Sequence, residues 1–148
     1  MVGFIVTGHG EFAPGLGSAI QMVAGDQPNF QIVPFGEAEA ATFGDTLAQA
    51  MADMRAVCDG GIVVFVDLLG GTPFNQAYMA SANVPGTQIV TGTNLPMLIE
   101  CLMMRNDSST SKDIAELAEN IGRAGIVVKA LEDAAPAADE DADDEDGI

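Results

Sequence analysis

The stretch GIVVFVDLLGGTPFN, residues 61–75, decides the fold. Ile62 to Val66 is an unbroken apolar run rich in β-branched residues, bounded by glycine and by Asp67. A strand that is apolar on both faces is the signature of a central strand in a parallel sheet covered on both sides. The chain then turns through Gly70 and Gly71 into a helix start, with Thr72 suited to the N-cap and Pro73 to the first helical position.

Four other segments read as strands: GFIVTG (3–8), FQIVPF (30–35), GTQIVTGT (86–93) and GIVVKAL (125–131). Between the first four lie stretches with helical periodicity. Phe12, Leu16, Ile20 and Val23 recur at three or four residues, as do Phe43, Leu47, Met51 and Met54. Further helices are predicted over Pro73 to Asn83, Leu95 to Met104 and Lys112 to Gly122. Strands alternating with helices imply an α/β fold with a mostly parallel sheet and helices on both faces. If the first and third strands are neighbours, the strand order is 2-1-3-4. The methionine-rich PMLIECLMM, 96–104, reads as core or subunit-interface packing.

Of the 148 residues, 48% are hydrophobic, enough for one domain with one core, placed here at residues 1–131. Residues 132–148 hold nine of the 22 acids, with alanine and proline and little to bury, and are expected to form a disordered acidic tail. The net charge of −17 makes nucleic acid a poor partner and a protein with a basic patch a better one. No apolar run approaches the roughly 20 residues that span a bilayer, and no basic lead marks a signal peptide. A cytoplasmic protein is expected. Cys58 and Cys101 stand far apart in sequence and read as buried thiols, so no metal site is expected.

The single histidine, His9, follows the first strand between two glycines. Asp67 follows the third. Ligands of open α/β sheets bind beyond the carboxyl ends of the strands, where strand order reverses, and in the order 2-1-3-4 His9 and Asp67 flank one crevice. With Thr72 as cap, Asp67 is free to accept the Nδ1 proton, fix the tautomer and leave Nε2 as a lone-pair nucleophile. Gly70, Gly71 and Thr72 offer main-chain N–H groups and a hydroxyl at a helix start, a place that holds anions. Histidine, carboxylate and anion cradle together suggest phosphoryl transfer through a phosphohistidine, with no metal and no resident cofactor. The chain has no G-x-x-x-x-G-K-[ST] loop, no dinucleotide fingerprint and no G-x-S-x-G elbow.

VTGHGEFAPGL (6–16), VDLLGGTPFN (66–75) and VTGTNLPMLIE (90–100), in that order, resemble the mannose-family enzyme IIA of the bacterial phosphoenolpyruvate:sugar phosphotransferase system. The resemblance runs over about residues 2 to 130. It implies that His9 takes a phosphoryl group from the carrier protein HPr and passes it to a IIB protein, with the IIC and IID membrane subunits, in which sugar choice resides, as indirect partners. It also implies that Asp67 orients the imidazole and that Gly71 and Thr72 meet the phosphoryl group. A homodimer is implied, in which the last strand, 125–131 here, crosses to the partner's sheet. Within the family, TGHGEFAPG and DLLGGTPF look closer to N-acetylgalactosamine or galactosamine types, and the end at Ile148 implies a separate IIA protein without a fused IIB domain. Two alternatives share the fold: the phosphocarrier subunit of a dihydroxyacetone kinase, and a regulatory interaction protein whose phosphorylation state a partner senses. A flavodoxin-like small-molecule binder with a structural histidine is the least specific reading.

Overall fold

The structure, a computed structural model, describes residues 1–134. Four parallel strands, β1 (Gly3–His9), β2 (Phe30–Phe35), β3 (Ile62–Val66) and β4 (Thr87–Val90), form one sheet in the order β2-β1-β3-β4. The order expected from the sequence is therefore the observed one. Register places Val6 beside Ile32 and Phe65, and Thr7 beside Val33 and Val66. The carboxyl ends of the two central strands thus lie side by side.

Five helices cover the sheet: α1 (Phe12–Ala24), α2 (Phe43–Val57), α3 (Thr72–Ser81), α4 (Leu95–Met104) and α5 (Ser111–Ala124). Side chains alternate across a strand, so β1 and β3 feed two cores. Phe4, Val6, Val63 and Phe65 pack with Ile20, Leu98 and Ile114 on the side of α1, α4 and α5. Ile5, Val64 and Val66 pack with Phe43, Leu47, Met51 and Ala77 on the side of α2 and α3. All five residues of β3 are buried. The methionine-rich helix divides by face: Met97 is buried, whereas Met103 and Met104 are exposed. Cys58 and Cys101 are both buried free thiols, and burial pushes the Cys101 thiol up to about 12, with Glu100 adding to the effect.

The helix starts differ in how their free N–H groups are met. Asn94 accepts from Met97 N at 3.2 Å to cap α4, and Thr110 and Asp113 form a reciprocal capping box on α5. At the other end of the sheet the buried Arg105 donates to the carbonyls of Val2 and Asn29 and also of Pro28, and it lies 4.7 Å above the Phe4 ring. Those bonds tie the end of α4 to the start of β1 and to the α1–β2 loop, far from the carboxyl ends where His9 and Asp67 stand.

Two expectations are corrected. Thr72 is the first residue of α3, not its cap, because the Gly71 carbonyl already accepts from Asn75 N at 2.9 Å and Gly71 takes the N-cap place. The predicted fifth strand at 125–131 is not formed among the described residues. The chain leaves α5 beside the carboxyl end of β4, as the Asn94 to Gly122 bond shows, and pairing within its own sheet would require a sharp reversal that it does not make. Ile126, Val127, Val128 and Leu131 are left exposed, with a single 3-10 turn over Leu131–Asp133. Apart from Glu132 to Ala134, the expected acidic tail lies outside the described residues.

Candidate functional site

His9 is the last residue of β1 and Asp67 the first after β3, so the neighbouring central strands deliver them to one another. The Asp67 carboxylate accepts from His9 twice through Oδ2, from the main-chain N at 2.8 Å and from ring Nδ1 at 2.8 Å. Its Oδ1 accepts from Leu68 N at 2.8 Å. Burial pushes the Asp67 carboxyl up, but the hydrogen bonds from His9 N, His9 Nδ1 and Leu68 N outweigh it and hold the group below the usual carboxylate range. Asp67 is therefore ionised at neutral pH and accepts only, so in a neutral ring the proton sits on Nδ1 and the lone pair on Nε2.

The glycines on either side of His9 have separate reasons. A Cβ on Gly8 would stand 3.0 Å from Cγ of Asp67 and 2.6 Å from Cδ1 of Phe12, so its bareness admits the carboxylate against β1. Gly10 turns the chain at φ +58° into a left-handed conformation that side chains disfavour, and its N–H donates to Phe35 O at 2.8 Å. Together they carry the chain from β1 into α1 with the imidazole standing free.

The ring is fenced, not buried. Its side chain is 47% exposed against 10% for Asp67. Phe35, at the end of β2, meets it edge-on with centroids 5.6 Å apart and an interplanar angle of 78°. Gly71 lies against its other edge: a Cβ there would stand 2.7 Å from Cε1 and 3.3 Å from Nε2. The Nε2 edge thus faces the start of α3, where Thr72 N–H and Phe74 N–H belong to the first turn and Pro73 has none. Gly70 completes the turn, its carbonyl accepting from Asn75 Nδ2 at 3.2 Å.

All five residues singled out from the sequence, His9, Asp67, Gly70, Gly71 and Thr72, meet at this one place. Sequence reasoning missed Phe35 and Leu68, whose Cδ1 would stand 3.1 Å from a Gly71 Cβ. It also missed the loop after β4, which reaches the main chain at Asp67. The signal for Phe35 was its position as the final residue of a strand next to β1.

Among the described residues no group of three or more His, Cys, Asp and Glu could hold a metal ion. No helix among them is long and apolar enough to cross a membrane. The arrangement can present a nucleophilic Nε2 toward an anion at a helix start.

The family described as the fructose IIA component of the phosphotransferase system matches residues 3–119. The chain belongs to this family. Its IIA relatives include the fructose-specific EIIA component of Bacillus subtilis (strain 168), 33% identical over 106 residues that make up 71% of each protein. The mannose-specific EIIAB component of Escherichia coli (strain K12) is 32% identical over 141 residues, 92% of this chain. This chain spans only 43% of the length of that curated relative. Among solved structures, the mannose/sorbose-specific IIA subunit of Enterococcus faecalis superposes with TM-score 0.77 at 26% identity, covering 90% of this chain and 98% of the other. The EIIA component from Streptococcus agalactiae gives 0.74 at 28% identity, covering 86% and 97%. The IIA fold read from three sequence motifs is therefore the fold of the family.

Proposed function

We propose that this IIA-family chain is a phosphocarrier of sugar uptake: His9 takes a phosphoryl group from phospho-HPr on Nε2 and passes it to a histidine of a IIB protein. The observation that carries the reading is the 2.8 Å bond from His9 Nδ1 to Asp67, made by a half-exposed ring whose Nε2 edge lies against Gly71 at the start of α3. In the first step the Nε2 lone pair forms an N–P bond as the donor's N–P bond breaks, its electron pair returning to the donor ring. Positive charge moves onto the His9 imidazole, which Asp67 stabilises while it keeps the proton on Nδ1. Main-chain N–H groups at the start of α3 and the Thr72 hydroxyl supply donors to the phosphoryl oxygens. The second step is the reverse, with IIB as acceptor, and neither step calls on a metal or a resident cofactor.

The segments that frame the ring, residues 8–12, 35–39 and 67–72, contain Glu11, Glu37, Glu39 and Asp67 and no Lys or Arg. A partner that brings its own basic groups to the phosphoryl group complements this surface. The same reading makes the protein cytoplasmic, with IIC and IID as indirect partners. A homodimer fits the edge of β4, which among the described residues pairs only with β3, and the exposed apolar segment 126–131.

Intact-mass measurement after mixing the protein with phosphoenolpyruvate, enzyme I and HPr tests the reading. One acid-labile phosphoryl group on the wild type and none on His9→Ala is expected. No transfer between demonstrably active partners would leave His9 a structural residue. Discharge to a dihydroxyacetone kinase subunit instead of IIB would replace the acceptor.

A further inference from the structure

Asp67 is gripped at its carboxylate by His9 and Leu68, but its main chain is gripped from elsewhere. The β3–β4 ladder has its last pair at Phe65 and Val90. Beyond that pair the strands are joined by the loop that follows β4. Gly92 N–H donates to the Asp67 carbonyl at 3.1 Å and Thr93 N–H to the Val66 carbonyl at 3.2 Å. The Thr93 hydroxyl donates to the same Val66 carbonyl at 2.7 Å, with a longer contact of 3.5 Å to Val90 O. Thr93 is only 7% exposed. The next residue, Asn94, caps α4 and donates to Gly122 O at 3.0 Å, so the loop is itself anchored to two helices.

We propose that Thr93 is a positioning residue for the transfer site: it fixes the peptide between Val66 and Asp67, while Gly92 fixes the next one, between Asp67 and Leu68, and the two thereby hold the Asp67 carboxylate where it accepts the His9 Nδ1 proton. An aspartate side chain is short, so its carboxylate follows the peptide that carries it. Hydrogen bonds weaken steeply once misaligned, and a misplacement of about 1 Å can cost about a hundredfold in rate. The Val66 carbonyl takes two donors from one residue on the β4 side, where the ladder has ended at Phe65 and Val90. A buried hydroxyl, shielded from competing water, is an effective donor for that purpose. A threonine that merely filled space would be replaced by valine with no consequence for the imidazole.

The inference leans on the phosphocarrier reading only for its rate readout, and the single histidine supplies an independent one. The ring 15N shifts, read through the carbon-bound ring protons at a pH where the ring is neutral, give the balance between the Nδ1–H and Nε2–H tautomers. In the wild type Nδ1–H predominates. In Thr93→Val the balance is expected to move toward Nε2–H by about tenfold and transfer from phospho-HPr to slow by about tenfold, while Thr93→Ser, which keeps the hydroxyl, restores both. A folded Thr93→Val protein with the wild-type tautomer balance overturns the proposal. Should the valine variant fail to fold, Thr93→Ala, which removes the donor without adding bulk, is read the same way. A wild type that shows the tautomer but never accepts a phosphoryl group defeats the phosphocarrier reading, and the tautomer balance of the variants still decides this inference.

Discussion

Gly71 and His9 approach so closely that a methyl group on the first would stand 2.7 Å from Cε1 of the second. The backbone at Gly71, φ −79° and ψ 173°, is one that any residue adopts, so the glycine is needed for space alone.

Gly71→Ala therefore separates function from stability. Alanine is a poorer N-cap than glycine, but it restricts the unfolded chain, and the two effects, each below about 1 kcal/mol, oppose one another. The melting temperature is expected to stay within about 5 °C of the wild type. The imidazole must shift, and transfer from phospho-HPr is expected to fall by at least about tenfold. Stopped-quench transfer kinetics beside a thermal melt check both halves; a wild-type rate in the folded variant would mean that the ring has room to spare.

Asp67→Asn is isosteric but cannot do the same work. The carboxylate accepts three bonds, two through Oδ2 and one through Oδ1. An amide has one accepting end. With oxygen toward His9, the NH2 group opposes Leu68 N–H; with NH2 toward His9, Nδ1 must accept and the proton moves to Nε2, which removes the nucleophile. Transfer is expected to slow by at least about tenfold. The pH dependence has a definite sign. The Asp67 carboxyl is held below its ordinary value by bonds that outweigh burial, so its stabilising contribution is whole above about pH 4 and is lost as pH falls through the lower folded value. The melting temperature of the wild type should exceed that of Asp67→Asn at neutral pH, and the gap should close below about pH 4. A gap that widens in acid would contradict the bonding pattern.

What could be read from the sequence and what could not divide along a physical line. Ile62 to Val66 announced a doubly covered strand because burial on both faces leaves a residue-type signature, and His9 and Asp67 were found because strand ends of a parallel sheet converge. Gly92 and Thr93 act through main-chain carbonyls of Val66 and Asp67, and a carbonyl has no residue type to betray it. Thr72 looked like a cap because Pro73 follows it, yet Thr72 is already the first residue of the helix, and the cap is the glycine before it, whose carbonyl takes the first bond. Ile126 to Val128 has the composition of a strand but pairs with no strand among the described residues. Composition reports that a segment would bury well in a sheet, not whose sheet it is.

That unpartnered segment carries the last prediction. Val128 is 89% exposed, Leu131 as much, and Ile126 only a little less. Apolar residues at alternate positions beside an open strand edge are a liability unless something covers them. A groove of about 560 Å³ runs along that edge, lined by Ile89, Val90, Met97 and Ile126 among others. If a second copy supplies the cover, the wild type sediments as a two-chain species. Val128→Pro removes a main-chain donor from the segment at a position whose side chain is almost fully exposed among the described residues. It should move the protein toward the one-chain mass with its circular dichroism unchanged. Sedimentation velocity at about 20 μM, well above a Kd of about 1 μM, distinguishes the cases. A wild type that sediments as a single chain would leave the segment uncovered and the dimer excluded at that concentration.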